Sequence, residues 1–474
     1  MTLKANSRIA LLSWWFVGVA EAQIQAGFDP PVSITGTIGA QSVGIGYMKD
    51  TYPQYLRPQI ISANGPNGTV SIFRCASMGY SLVTNLTAGR DSRMAYPRSI
   101  AILNSNTFFV ANYDESTVDV MQCDSSNIYR SLFLLDVGTH PIAITCGNVG
   151  TAASPVYRAF TANFYDATVS AIGINLATHS FFLETNYPAG NSPKAVLLGN
   201  FLGNASPPNL LVLNSSDNNV SILVGDGSGK FLVPNPPLIS PTGDNPVAMV
   251  VGSGFLFTAN QGNQTLGVLK ESASGIGLWV RTCEIPLDHM PVTMSGGDLN
   301  GDGKMDLVIG YGDENSIEIF LGTGADAPGY DPPSQPYFVS LKKIFLSGSV
   351  RSLFLQSLFT EFDQWARPPL DVILRLPDIV VTHGDMISVI PNQNIPRLNF
   401  RRAANQVVVG FNSGAFLTWP GLGRSYAMDS ATTLTPVPDW HLLTKVFSPA
   451  AFGLGYESFD AITNGNKFYR LRRQ

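Results

Sequence analysis

Asn112-Tyr113-Asp114-Glu115-Ser116-Thr117-Val118-Asp119-Val120 reads as a tight turn followed by a short strand. Asn, Asp and Ser tolerate the left-handed backbone that hairpin turns need, and Thr-Val-Asp-Val alternates with period two. The same pattern recurs at the same spacing in residues 64–72 (NGPNGTVSI), 163–171 (NFYDATVSA), 214–222 (NSSDNNVSI) and 260–268 (NQGNQTLGV). Looser copies stand at 310–319 (GYGDENSIEI) and 382–389 (THGDMISV), making seven units at a period of about 50 residues.

Working outward, each turn is preceded by an apolar run such as Thr107-Phe108-Phe109-Val110-Ala111 or Phe255-Leu256-Phe257-Thr258-Ala259. Upstream lies another short strand, led mostly by proline, as at Pro97, Pro141, Pro193, Pro246 and Pro291; residues 42–45 and 349–352 take its place in the first and last units. A fourth strand follows each hairpin, as in 278–282. Four antiparallel strands repeated seven times are the arithmetic of an all-β, seven-bladed β-propeller, closed into one ring because each blade buries its faces only against its neighbours. Val32-Ser33-Ile34-Thr35 alternates ahead of the first unit and is expected to pair with the seventh blade, removing two free edges. The last unit carries an insertion at 359–369 that includes Trp365.

Composition agrees. The 474 residues are 45% hydrophobic and only 13% charged, with 45 Gly and 32 Pro, which excludes a coiled coil, a helical bundle and bulk disorder. With 29 basic against 34 acidic side chains and net charge -5, no large positive field exists to recruit phosphates, so nucleic acid is not an expected partner.

Lys4 and Arg8 precede an apolar run from Ile9 to Ala20, and Ala20-Glu21-Ala22 supplies a small-residue cleavage site. Residues 1–22 are thus predicted to be a signal peptide, too short in its apolar part to span a bilayer. The expected product is secreted, held at the cell surface or periplasmic, a monomer with no membrane span after cleavage. Cys75, Cys123, Cys146 and Cys283 match no zinc or redox spacing and read first as small buried hydrophobes, with one or two bridges as the alternative.

Asp298-Leu299-Asn300-Gly301-Asp302-Gly303-Lys304-Met305-Asp306 places oxygen side chains at positions one, three, five and nine, with Gly303 for the sharp bend and the Lys304 carbonyl as a further donor. Hard oxygen ligands with three negative charges suit Ca²⁺. Position twelve is Ile309 rather than the Glu of an EF-hand, and a strand follows rather than a helix. The corresponding place in the fourth unit, 199–206, lacks the carboxylates.

This stretch, through Leu307-Val308-Ile309-Gly310, resembles the calcium loop of FG-GAP and VCBS repeats in integrin-like propellers, and residues 223–231 (LVGDGSGKF) resemble the glycine turn closing a VCBS unit. Phe109-Val110-Ala111-Asn112 and Phe257-Thr258-Ala259-Asn260 resemble the YVTN repeat of exported and surface-layer propellers. The propeller is assigned to 23–400. Residues 403–474, ending in Lys467-Phe468-Tyr469-Arg470-Leu471-Arg472, are similar to the small C-terminal β-sandwich-like module of exported Verrucomicrobia-type bacterial proteins. These resemblances imply the architecture and a stabilising calcium, while such rings host adhesion, sugar binding and several chemistries, lactonases among the YVTN type.

Other constellations are weaker. Gly225, Gly227 and Gly229 before Lys230 miss Walker A spacing and read as a hairpin turn. His140, His179, His289, His383 and His441 are scattered; His140 and His289 stand just ahead of innermost strands, near the channel, and read as packing. No nucleophile elbow or paired-acid spacing appears. Six Asn-x-Ser/Thr sequons read as turns and strands of the repeat. Tyr113, Phe164, Tyr165 and Tyr311 fall in the turns and suggest an aromatic rim. The preferred reading is a non-enzymatic binding protein for extracellular polysaccharide or a surface protein. A channel-based lactonase, hydrolase or lyase is the alternative, and a purely structural spacer is a third possibility.

Overall fold

The computed structural model describes residues 28, 31–34, 39–48, 57–76, 79–124, 126, 128–151, 154–201, 207–234, 237–272, 278–301, 303–323, 337–356 and 377–392, together with the backbone of strands between 398 and 473. The signal peptide, Asp302 and the 359–369 insertion lie outside the described residues.

Seven antiparallel sheets follow one another around a ring. Blades 1 to 6 occupy 40–87, 97–136, 141–188, 193–241, 246–286 and 291–345, and blade 7 is built from Val350–Gln356, Asp378–His383 and Met386–Ile390. Its fourth strand is Val32–Ile34, with Val32 opposite Val389 and Ile34 opposite Ile387. The N-terminal closure expected from the alternation is therefore present. In blade 4 the fourth position is shared by Phe231–Leu232 and Leu238–Pro241, both paired to Asn219–Gly225. The Gly225-to-Phe231 segment is the expected hairpin turn, with Gly227 and Gly229 at φ 78° and 99° and the Asp226 carboxylate accepting from the Ser228 and Lys230 amides.

The core is divided by blade interface. Seven buried clusters are present, one for each neighbouring pair of blades. One joins Ile61 and Val70 of blade 1 to Phe108 and Met121 of blade 2, and another joins Val380 and Ile387 of blade 7 to Val43 and Ile60 of blade 1. Second strands are covered on both faces, which is why Thr107–Asn112, Asn209–Asn214 and Phe255–Asn260 are buried at every position and read as continuous apolar runs. Cys123 lies in the first of these clusters, and Cys146 and Cys283 pack against two others. Burial pushes the Cys146 thiol up to about 12. The Cys75 side chain is outside the described residues.

The repeated Asn has a specific task. It ends the second strand, and its side-chain amide reaches across the hairpin to the third: Asn64 to Ser71, Asn112 to Asp119, Asn163 to Ser170 and Asn214 to Ser221, all at 2.7–2.9 Å. Blade 6 fills the same place with Tyr311 and Glu318 at 2.8 Å, and blade 7 with His383 and Ser388 at 2.8 Å. Around this node the loop between blades is pinned twice. Its first residue donates to the carbonyl of the left-handed turn residue of the preceding blade, as Val137 to Ser116 and Ala189 to Ala167. Its next residue donates to the following node, as Gly89 to Asp119 and Gly138 to Ser170. The node amides and the loop N–H groups are thereby paired, although the Asn112 and Asn260 carbonyl oxygens remain buried without a donor among the described residues.

Further strands lie after the ring: Leu398–Ala403, Gln406–Asn412, Ser448–Pro449 and Gly455–Ala461 form one sheet, and Tyr426–Ala431, His441–Leu442 and Phe468–Arg473 another.

Candidate functional site

The face carrying the hairpin turns and inter-blade loops is built by one device used seven times. Each innermost strand begins with a β-bulge, between Ala40 and Ser42, Pro97 and Ser99, Pro141 and Ala143, and so on through Val350 and Ser352. A bulge leaves one residue unpaired and redirects it. Three of those seven residues are cations, Arg98, Lys194 and Arg351, one is Gln41, three are apolar and none is acidic. Innermost strands pack on one another around the ring, so these residues surround one end of the central channel. The sequence reading missed them because a bulge leaves no local signature; the only trace is a charged residue next to the leading proline or valine.

On blades 2 and 3 this end of the channel meets the aromatic residues. His140 precedes Pro141 at φ 58°, and its carbonyl accepts from the Phe164 amide at 3.0 Å, which fixes the ring beside the next turn. The imidazole is held edge-on between Tyr113 and Tyr165, each 4.6 Å away between ring centroids, and Phe164 stands 5.2 Å from Tyr165. The Arg98 guanidinium lies 5.3 Å from the centre of the Tyr113 ring, a cation–π distance. Burial and the neighbouring Tyr165 raise the Tyr113 hydroxyl above its ordinary pKa, against the opposing pull of Arg98. Tyr165 is 66% exposed, so the group opens to solvent.

Tyr311 does not join this rim. The structure buries it completely, and its hydroxyl donates to Glu318 because it aligns with the node residue Asn112 rather than with Tyr113. The loose sixth unit was out of register by one residue, which moves a side chain from the surface to the core. Burial first, then Glu318, drives the Tyr311 hydroxyl far above its ordinary pKa.

Above Tyr311, His289 has Nδ1 3.4 Å from Asp313 and Nε2 3.0 Å from Glu314, and Lys343 Nζ is 2.9 Å from Glu314. Burial alone would raise Glu314, but hydrogen bonds from Ser316 and Lys343 outweigh it and hold the carboxyl below its usual range. Both imidazole nitrogens are engaged within the protein, so the group ties blade 6 together and offers no nitrogen to a substrate.

The Asp298–Asp306 loop joins the first two strands of blade 6, at the opposite end of the innermost strand, and hence on the opposite face. Asp298, Asn300 and Asp306 are all buried. Asp298 accepts from the Gly301 and Gly303 amides at 2.6 and 2.8 Å, and Asp306 from Leu299 and Gly322 at 2.8 Å each. The Lys304 ammonium donates to the Thr323 carbonyl. Asp298 Oδ1 also accepts from the Asn300 amide at 3.3 Å, so the loop's own amides engage these carboxylates, which are nonetheless hard oxygen donors of the kind Ca²⁺ takes. Among the described residues, no three His, Cys, Asp or Glu side chains converge on one point, and Asp302, needed to complete the set, lies outside them. The Asn392 amide donates to the Leu299 carbonyl at 2.9 Å, coupling the loop to blade 7.

The FG-GAP repeat family model matches residues 290–329, which take in this loop and the first three strands of blade 6. No curated protein matches the sequence. Among solved structures the chain is similar to Kuenenia stuttgartiensis hydrazine synthase, at 11% identity over 75% of this chain and 96% of that one, with a TM-score of 0.52. It is also similar to a streptogramin B lyase, at 10% identity over 78% and 99% with a TM-score of 0.50, and to virginiamycin B lyase from Staphylococcus aureus, at 11% over 77% and 99% with 0.48. At such identities the likeness is one of fold. Among the described residues, no helix is long and apolar enough to cross a membrane.

Proposed function

We propose that this chain is an exported, non-enzymatic binding propeller that recognises an extracellular polysaccharide with the turn-bearing face of blades 2 and 3. We also propose that Ca²⁺, held by Asp298, Asn300, Asp302, Asp306 and the Lys304 carbonyl, stiffens the opposite face. The observation that carries the binding reading is the ordered aromatic group: Tyr113, His140, Phe164 and Tyr165 are fixed edge to face by the hairpin backbone yet open to solvent. Rigid amphipathic rings present apolar faces to sugar C–H groups and hydroxyls to their oxygens at low entropic cost. Chemistry is disfavoured there because Arg98 and Lys194 have one sign, and among the described residues no carboxylate is paired with His140 to make an acid–base couple.

Glycan and surface-protein arrays, run beside lactone, ester and glycoside substrates, test this reading. Glycan binding that is lost in a Tyr113→Ala, Tyr165→Ala double variant is expected. Binding confined to the protein array, or turnover of any of these substrates, overturns it.

A further inference from the structure

The geometry points to a carboxylate-binding subsite between Arg98 and Lys194, walled by Tyr113 and Tyr165, that selects acidic over neutral saccharides, with hexuronate-bearing chains as the ligand class. The inference rests on the polysaccharide reading above and specifies which sugars the face takes.

Arg98 and Lys194 occupy the same bulged position at the start of the innermost strands of blades 2 and 4. Arg351, the third cation of the set, already donates to the Ala40 carbonyl at 3.5 Å. Arg98 and Lys194 have no ion pair or hydrogen bond among the described residues. Two other half-buried cations of the ring are ion-paired, Arg158 with Glu184 and Lys343 with Glu314, while Lys270 lies over the Phe255 ring away from the channel mouth's aromatic group. Both side chains leave the equivalent bulge at the same end of the channel, and burial, then the Arg98 charge, lowers the pKa of the Lys194 amine. Two like charges held half-buried and unpaired in a chain of net charge -5 are unfavourable until an anion arrives.

The shape of the site narrows the anion. The Arg98 guanidinium sits over the Tyr113 ring with no acceptor for its N–H groups among the described residues, so they can form the paired hydrogen bonds a carboxylate accepts, while Lys194 can supply a point charge. A carboxylate seated there brings the ring that bears it against Tyr113 and Tyr165, and a hexuronate unites both features in one residue. Charge and stacking surface are thus matched by a single sugar.

The test is calorimetric titration of the full chain at fixed ionic strength. The probes are galacturonate, glucuronate and mannuronate oligosaccharides, each beside its carboxyl-reduced neutral counterpart. At least one acidic oligomer is expected to bind about tenfold or more tightly than its reduced form. Arg98→Gln and Lys194→Met should each remove most of that preference, while Lys230→Gln, which deletes an exposed charge on the blade 4 hairpin turn, leaves it intact. Thermal midpoints of all variants establish that they fold, and Arg98→Lys provides a milder change if Arg98→Gln does not. Equal binding of acidic and neutral oligomers overturns the subsite but leaves the polysaccharide reading standing. A chain that binds only neutral glycans on the array does the same, whereas one that binds no glycan at all overturns both.

Discussion

Asp119 is a carboxylate at 1% exposure that survives burial because three donors converge on it: the Gly89 amide, the Asn112 side chain and the Ser131 hydroxyl. Leaving a buried acceptor short of a donor costs about 1–3 kcal/mol, more when it is charged. Asn112→Ala is therefore expected to lose stability at the upper end of that range in urea unfolding. Asn260→Ala should lose less, because Gly267 faces Asn260 where the other blades with Asn at the node have Ser or Asp, so no side-chain acceptor at 267 is left unpaired. Equal losses at the two positions would show that the node acts by shape alone. His383 at the blade 7 node gives a pH prediction. It is buried and bonded to Ser388, and burial lowers its pKa below 6.5. Above about 6.5 the imidazole is neutral in both folded and unfolded chains, so stability is unaffected; as pH falls from there through the folded value, the unfolded state binds the extra proton and stability declines. His383→Asn, which installs the residue used by blades 1 to 5, should flatten that acid-side decline. An unchanged slope between pH 7 and 5 would assign the acid sensitivity to other groups.

At the scale of the blade, the four-strand unit was legible because every hairpin repeats one spacing, whereas what the turn residues do was only partly so. Asn112 and its equivalents were visible as turn-formers, but their role as cross-strand donors depends on register, which composition does not reveal. Register also explains Tyr311, which looked like a rim residue and became a core one. The cations at Arg98 and Lys194 stayed hidden because their exposure is set by a bulge, while the acidic 298–306 loop could be read as part of an FG-GAP repeat because its spacing is local. That loop supports a prediction on the element itself. Extracellular calcium modules bind at roughly 10⁻⁴ to 10⁻³ M, and calcium at about 100 times Kd adds about 2.7 kcal/mol to a folded state. Since the Asn392 amide holds the loop to blade 7, that gain should appear as added hydrogen-exchange protection in the first strands of blade 6 and in Met386–Ile390, and as a higher thermal midpoint. Asp298→Ala should abolish both responses. Equal midpoints with calcium and with chelator, and no metal bound at millimolar calcium, would dismiss the ion and leave the loop held by its amides alone.

For the whole molecule, stability is a property of closure. Seven inter-blade clusters are joined in series around a circle, and a circle has no terminal repeat to cap, so one missing contact opens an edge on each side of the break. The N-terminal segment enters two of these clusters: Phe28 packs in the one joining blades 6 and 7, and Ile34, 3% exposed, in the one joining blades 7 and 1. Ser33 also faces Ser388, the residue bonded to His383, so the closing strand reaches the blade 7 node as well. Removing residues 23–34 would uncover Met386–Ile390, a strand buried at four of its five positions, as a free apolar edge able to pair with another chain. The truncated protein is expected to aggregate or to lose cooperative unfolding. Ile34→Ala, which keeps the strand and removes only its buried anchor, should cost about 2–5 kcal/mol and leave a monomer. Light scattering with urea unfolding distinguishes the two effects. A truncated chain that remains monomeric and unfolds at the same urea concentration would mean that blade 7 does not need its fourth strand, and that the ring is held by the contact of innermost strands alone.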